Sequence, residues 1–251
     1  MRPLAGRVAF ITGTSRGIGR ALADALAAAG AAIACTARSL DDAKATAAAV
    51  TAHGVDARGY AVDVRDTGQI DRAVHDAERD FGAIDILINN AGVTLDKASV
   101  DVTDDELDSV IQTNLAAVFR CCRAVAPGMI ARKRGKIINI GSMYGRIGVA
   151  RYAAYCATKA GVEALTRSLA VEWARHGIQV NCLAPGYVNT EIPRAALADE
   201  RTKTLFLSKI PARRIGEPEE LGPLAVYLAS PASDLMTGQT LRIDGGQTIA
   251  W

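Results

Sequence analysis

Aromatic side chains are scarce in this 251-residue chain, at 5% of positions, with only 2 Trp and 4 Phe. A core with so few rings must be filled by small and branched aliphatic groups. The abundance of Ala and Gly suits closely packed layers of helix on sheet. Histidine is scarcer still. His53, His75 and His176 lie far apart, and no His/Cys cluster has the spacing of a metal site. The cysteines Cys35, Cys121, Cys122, Cys156 and Cys182 contain no CxxC pair and read as free thiols of a reducing compartment. Charge of one sign is also missing. The 29 Lys+Arg against 27 Asp+Glu leave +2, which excludes nucleic-acid binding driven by bulk charge. No apolar run reaches the ~18 residues of a membrane helix. The stretch Met1–Arg7 carries charge but no long apolar segment of the signal-peptide kind. The expectation is a cytoplasmic protein with no membrane and no nucleic-acid partner. At 49% hydrophobic and 22% charged, the chain is not disordered. Its length suffices to bury roughly 70–75% of the unfolded surface without disulfide or metal staples.

What is present is alternation. Short apolar runs at Arg7–Thr12, Ala31–Ala37, Asp56–Val62, Ile84–Asn89, Gly135–Ile140, Ile178–Leu183 and Gln239–Ile243 read as strands. Helical stretches fall between them at Gly17–Ala29, Asp41–His53, Thr67–Phe81, Asp104–Arg132, Tyr152–Arg175 and Glu217–Ala229. Several strands are continuously apolar, as strands covered on both faces must be. The expected fold is α/β: a Rossmann-type, doubly wound parallel sheet of about seven strands flanked by helices on both faces. With no linker or low-complexity tail, residues 1–251 read as one domain. Residues 187–214, which contain Pro193 and Pro211, break the alternation and read as a lid over a site. Within it, Leu205–Leu207 is a candidate apolar wall.

The first strand runs into Gly13-Thr14-Ser15-Arg16-Gly17-Ile18-Gly19 and then an amphipathic helix. A tight strand-to-helix turn and a close backbone approach to a pyrophosphate both call for glycine. The helix start adds free N–H groups and a positive dipole end. The second strand ends Cys35-Thr36-Ala37-Arg38-Ser39, without the acid that bonds a ribose 2′-hydroxyl in NAD binders. Arg38, backed by Arg16, would instead pair with a 2′-phosphate. The expected cofactor is therefore NADP(H). Ser39-Leu40-Asp41-Asp42 reads as a capping box opening the next helix. Asp63, followed by Val64, is a candidate for the adenine amino group; a helix-cap or turn acid is the other reading.

Tyr155 and Lys159 stand four residues apart, one turn along the same face of a helix. A cation beside a phenol favours the phenolate and lowers its pKa from ~10. Such a tyrosine can pass a proton to a carbonyl oxygen near neutral pH. Ser142 follows the strand ending at Ile140, at the carboxyl end where open α/β sheets bind ligands, and its hydroxyl would bond the reacting oxygen. Met143 and Tyr144, and less directly Tyr152, are candidates to touch substrate.

Together, Thr12-Gly13-x3-Gly17-x-Gly19, Asp63-Val64, Asn89-Asn90-Ala91-Gly92, Asn114, Ser142, Tyr155-x3-Lys159, Pro185-Gly186, Thr190 and Asp244-Gly245-Gly246 resemble the short-chain dehydrogenases/reductases. The resemblance spans nearly the whole chain. It implies that Tyr155 is the general acid in reduction and the base in oxidation. Lys159 would hold the nicotinamide ribose, Ser142 would polarise the carbonyl, and Asn114 would hold a water linking Lys159 to solvent. Asn90, Ala91 and Gly92 would line the adenosine-ribose side, and Pro185, Gly186, Val188 and Thr190 the nicotinamide end. It further implies a homotetramer acting on a small carbonyl or alcohol substrate. A 3-oxoacyl thioester is one candidate, and a sugar acid or small alcohol is the other. His176 stands before Gly177 where carrier-linked members carry Arg, which weakens a carrier-bound substrate. A catalytically idle NADP(H)-binding regulator is the competing class.

Overall fold

A computed structural model describes residues 2–190, 204 and 207–250. Seven strands form one parallel sheet: β1 (Val8–Thr12), β2 (Ala32–Ala37), β3 (Ala57–Ala61), β4 (Ile86–Asn89), β5 (Gly135–Ile140), β6 (Ile178–Pro185) and β7 (Thr240–Ile243). Their spatial order is β3-β2-β1-β4-β5-β6-β7. The chain winds outward from β1 in one direction, then returns to place β4 on its other side. That reversal opens a crevice between the ends of β1 and β4. Phe10 points into one apolar layer while Ala9 and Ile11 point into the other. The same alternation recurs in β4, where Leu87 faces opposite to Ile86 and Ile88. Both faces are thus buried, which is why these strands carry no polar alternation.

One layer is covered by α1 (Gly17–Ala28), α2 (Leu40–Val50) and α7 (Gly222–Ala229). The other is covered by α3 (Thr67–Phe81), α5 (Ala117–Arg132) and α6 (Ala153–Trp173). Helix starts follow the capping chemistry. The Ser39 hydroxyl accepts from the Asp42 N–H at 3.4 Å, and Asp66 caps α3 at Gln69 N–H. The expected continuous helix Asp104–Arg132 is interrupted. α4 (Asp104–Ile111) passes through a π turn, Gln112–Ala116, before α5 begins. Apolar periodicity alone does not reveal one extra residue in a turn, and such turns recur at functional sites.

Most of the expected lid, residues 191–203 together with Leu205 and Phe206, lies outside the described residues. Its two feet are described. Val188 bridges Gly216, and the Asn189 N–H donates to the Gly216 carbonyl at 2.8 Å. Ile210 is buried.

Candidate active site

The turn after β1 places a glycine where only glycine fits. Gly13 has φ +71°, in the left-handed region, and a Cβ at Gly19 would stand 2.1 Å from the Gly13 carbonyl oxygen. The first turn of α1 therefore packs directly on the turn that precedes it. Its N-cap, Arg16, supplies no side-chain cap, so the helix's first N–H groups remain available to an anion. Asn90 braces the turn from the side, with Nδ2 donating to the carbonyls of Thr12 and Gly13 at 2.9 Å each. The Thr12 hydroxyl accepts from the N–H groups of Asn90 and Ala91 at 2.9 and 3.0 Å. These bonds tie the ends of β1 and β4 together at the crevice. The residues present fit a dinucleotide diphosphate.

At the crevice's outer end, Arg38 and Ser39 are exposed. Asp63 is partly exposed and already paired. Its carboxylate takes the Arg65 guanidinium at 2.6 Å, and that bond, with Arg38 further away, holds it below the usual carboxylate range. The Asp63 carboxylate also accepts from the Arg65 N–H at 3.0 Å, closing a short turn after β3. The Val64 side chain lies in the core, so only its backbone faces this end.

Ser142, Tyr155 and Lys159 converge on one cleft of about 250 Å³, which Ile18, Asn90 and Gly92 line from the turn side. Ser142 enters it from the end of β5, and Tyr155 and Lys159 from the first turns of α6. The Ser142 side chain acts on the Tyr155 phenol, drawing its pKa downward. A buried polar run positions these elements. Asn89 Nδ2 donates to Asn139 Oδ1, and Asn139 Nδ2 donates to the Thr166 hydroxyl, both at 2.9 Å. β4, β5 and α6 are thereby joined beneath the site. Pro185, Gly186, Val188 and Thr190 line the far wall. The Thr190 methyl sits so close to the phosphate turn that a Cβ at Gly17 would stand 3.3 Å from it.

The Tyr155–Lys159 pair departs from expectation. Lys159 Nζ lies 5.7 Å from the Tyr155 ring centroid and donates instead to the Ile140 carbonyl at 2.8 Å. Burial pushes the Tyr155 phenol up, and the influence of Ser142 opposes it without reversing it. Burial also pushes Lys159 down, to about 8. Desolvation penalises the charged form of each group, and at this separation their mutual attraction does not outweigh it. Sequence spacing states that two groups are neighbours; it does not state how much water they have lost.

Asn114 sits in the π turn. Its side chain pairs with the Val93 backbone in both directions, accepting from N–H and donating to the carbonyl at 2.8 Å each. Its Nδ2 also reaches the Thr158 hydroxyl at 3.3 Å, which in turn donates to the Tyr155 carbonyl at 2.8 Å. Thr158 was not singled out from the sequence, although its place directly before Lys159 was the available signal. Tyr187 was missed as well. It lines the cleft, and its hydroxyl stands 2.9 Å from that of Tyr144. Nothing in linear order pairs residues 43 positions apart.

A family model described as enoyl-(acyl carrier protein) reductase matches residues 13–248. Among curated proteins, the chain is 42% identical to a 3-oxoacyl-[acyl-carrier-protein] reductase of Vibrio harveyi, covering 97% of this chain and 98% of that one. It is 41% identical to a gluconate 5-dehydrogenase of Gluconobacter oxydans, covering 98% and 96%. Among solved structures, a gluconate 5-dehydrogenase from Burkholderia cenocepacia in complex with NADP and tartrate superposes with a TM-score of 0.95. It has 43% identity and covers 99% of this chain and 97% of that chain.

Proposed function

This chain belongs to the short-chain dehydrogenase/reductase family, and from that premise we propose that it reduces a ketone to a secondary alcohol, reversibly, in one domain that holds both cofactor and substrate. It is an NADP-dependent oxidoreductase. The observation that carries the reaction assignment is the convergence of Ser142, Tyr155 and Lys159 on one cleft beside the glycine turn. The dinucleotide, when bound, supplies or takes up the hydride. The protein's own groups handle the proton and the orientation. Ser142 donates a hydrogen bond to the carbonyl oxygen and fixes its direction. Tyr155, kept protonated by burial, transfers its proton to that oxygen as it becomes an alcohol. In the oxidative direction the Tyr155 phenolate takes the proton back from the alcohol. Lys159, anchored on the Ile140 carbonyl, holds positive charge behind the developing phenolate and presents donors to the nicotinamide ribose. Asn114 and Thr158 fix the start of α6 against the segment holding Val93.

The diphosphate would lie on the turn from Gly13 through Ser15, Arg16, Gly17 and Ile18 to Gly19. Arg38 and Ser39 would take the 2′-phosphate. Asp63, Val64, Asn90, Ala91 and Gly92 would line the adenosine half, and Pro185, Gly186, Val188 and Thr190 the nicotinamide half. Arg38→Asp is expected to raise the KM for NADPH by roughly 10–100-fold, the equivalent of losing one charged hydrogen bond. The KM for NADH should change far less. Steady-state kinetics with both cofactors on one ketone checks this, and a parallel loss for both would remove Arg38 from the phosphate site.

The reaction itself is tested by ketone-dependent oxidation of NADPH on a panel that includes an acetoacetyl thioester and 5-ketogluconate. Turnover of the thioester places the enzyme with the 3-oxoacyl reductases. Turnover of the keto acid places it with the sugar-acid dehydrogenases. Tight NADPH binding with no turnover on any member would favour an idle regulator. A cytoplasmic location fits the five free cysteines, four of them buried. Among the described residues no helix is long and apolar enough to cross a membrane. A homotetramer would cover Phe119 on α5 and Val171 on α6, which are 45% and 83% exposed, and Ile249 near the C-terminus, which is 81% exposed. Light scattering at micromolar concentration should give four times the chain mass; a monomer there would refute the assembly.

A further inference from the structure

The proton-relay residues leave one wall of the cleft without a role. Tyr144 follows Ser142 by two positions in a single 3-10 turn, Met143–Gly145, and is buried. Its ring meets three other tyrosine rings edge-on: Tyr152 at 5.2 Å, Tyr155 at 5.9 Å and Tyr187 at 6.2 Å between centroids. The 2.9 Å contact between the Tyr144 and Tyr187 hydroxyls joins the loop after β5 to the loop after β6. Burial and the Tyr187 contact push the Tyr144 phenol well above its ordinary pKa, so Tyr144 is uncharged at physiological pH.

Charge is absent from this wall. Among the described residues lining the cleft, Lys159 is the only cation, and its ammonium is committed to the Ile140 carbonyl on the catalytic side. The nearest charges beside the tyrosines neutralise each other. The Tyr152 hydroxyl donates to one Asp96 oxygen at 3.0 Å, and Arg151 Nε donates to the other at 2.5 Å. A carboxylate moved from water onto such a wall loses hydration and, among the described residues lining the cleft, meets no free cation to compensate. A flat apolar group meets ring edges instead, and each good aromatic contact is worth roughly two- to tenfold in affinity.

We infer that Tyr144, Tyr152 and Tyr187 form a specificity wall, joined by the Tyr144–Tyr187 hydroxyl contact, that selects neutral ketones bearing a planar apolar group and disfavours carboxylate substrates such as keto sugar acids. This rests on the ketone-reductase reading above and names its substrate class. The wall touches the substrate's flank and takes no part in proton transfer.

The test uses matched ketones with NADPH: ethyl benzoylacetate, ethyl acetoacetate, acetoacetate and 5-ketogluconate. The first two differ in phenyl against methyl, and the middle two in ester against carboxylate. We expect kcat/KM to fall at least tenfold from ethyl benzoylacetate to ethyl acetoacetate, mainly through KM. It should fall at least tenfold again to acetoacetate, with 5-ketogluconate no better. Tyr144→Leu keeps an apolar filler and removes the ring; it should cut the phenyl-over-methyl preference by roughly two- to tenfold. Tyr144→Phe and Tyr187→Phe keep both rings and break only the hydroxyl contact. Each should raise the KM for ethyl benzoylacetate several-fold, and the double variant should be no worse than either single one, because they remove one shared interaction. NADPH binding, read by fluorescence, verifies that each variant is folded. A preference for 5-ketogluconate or acetoacetate would overturn the wall while leaving the ketone-reductase reading intact. So would a Tyr144→Leu variant that slows all four ketones equally. No turnover of any ketone by an enzyme that binds NADPH would overturn both.

Discussion

Tyr155→Phe is expected to lower kcat for ketone reduction by roughly 10²–10⁴-fold, the usual contribution of a positioned general acid. The substitution removes one hydroxyl and leaves the ring, which keeps its edge-on packing against Tyr144 at 5.9 Å. No cavity opens, so stability should change little. The Ser142 side chain still accepts from the Tyr144 N–H at 3.1 Å. The KM for ketone should move much less than kcat, because the proton is needed only as the oxygen acquires charge. Steady-state kinetics alongside a fluorescence titration of NADPH separates the two effects. Near-normal turnover would take the proton-transfer role away from Tyr155.

Lys159→Met should cost on the order of 10²–10³-fold in kcat/KM, comparable to removing one preorganised donor from a charged transition state. It should also erase a pH dependence. Burial pushes the Lys159 ammonium from 10.5 down to about 8. Below that pH the group is charged and supports the developing phenolate. Above it the charge is lost, so reductive kcat/KM in the native enzyme should fall as pH rises through about 8. Stability should follow the opposite sign. Between about 8 and 10.5 the unfolded chain binds this proton and the folded protein does not, so the folded state gains stability as pH rises across that window. A pH series of kcat/KM and of Tm on native enzyme and the Met variant checks both. A flat native profile through pH 8 would show that Lys159 titrates elsewhere. The site thus holds its cation at a cost to stability, a common trade in active sites.

Much of this was legible in linear order because the signals are local. Continuous apolar runs state that a strand is covered on both faces, and the observed strands fall within about two residues of those runs. Ser39 and Asp66 announce their helices by capping chemistry confined to three residues. The Gly13 turn is equally local, since a backbone at φ +71° calls for glycine wherever the chain goes next. The π turn was not legible, because an added residue in one turn leaves no mark on an apolar pattern that resumes in α5.

By itself, then, the sequence determined the strand–helix alternation, the glycine turn after the first strand and which groups are candidates for a proton relay, each set by backbone geometry or side-chain chemistry within a few residues. Only the tertiary structure decided which charges keep their water and which neighbours close the cleft. Lys159 is turned to the Ile140 carbonyl, Asp63 is taken by Arg65, and Tyr144 meets Tyr187 across two strand ends. Desolvation and long-range contact depend on every element packed around a group, and that sum is not written at any one position of the chain.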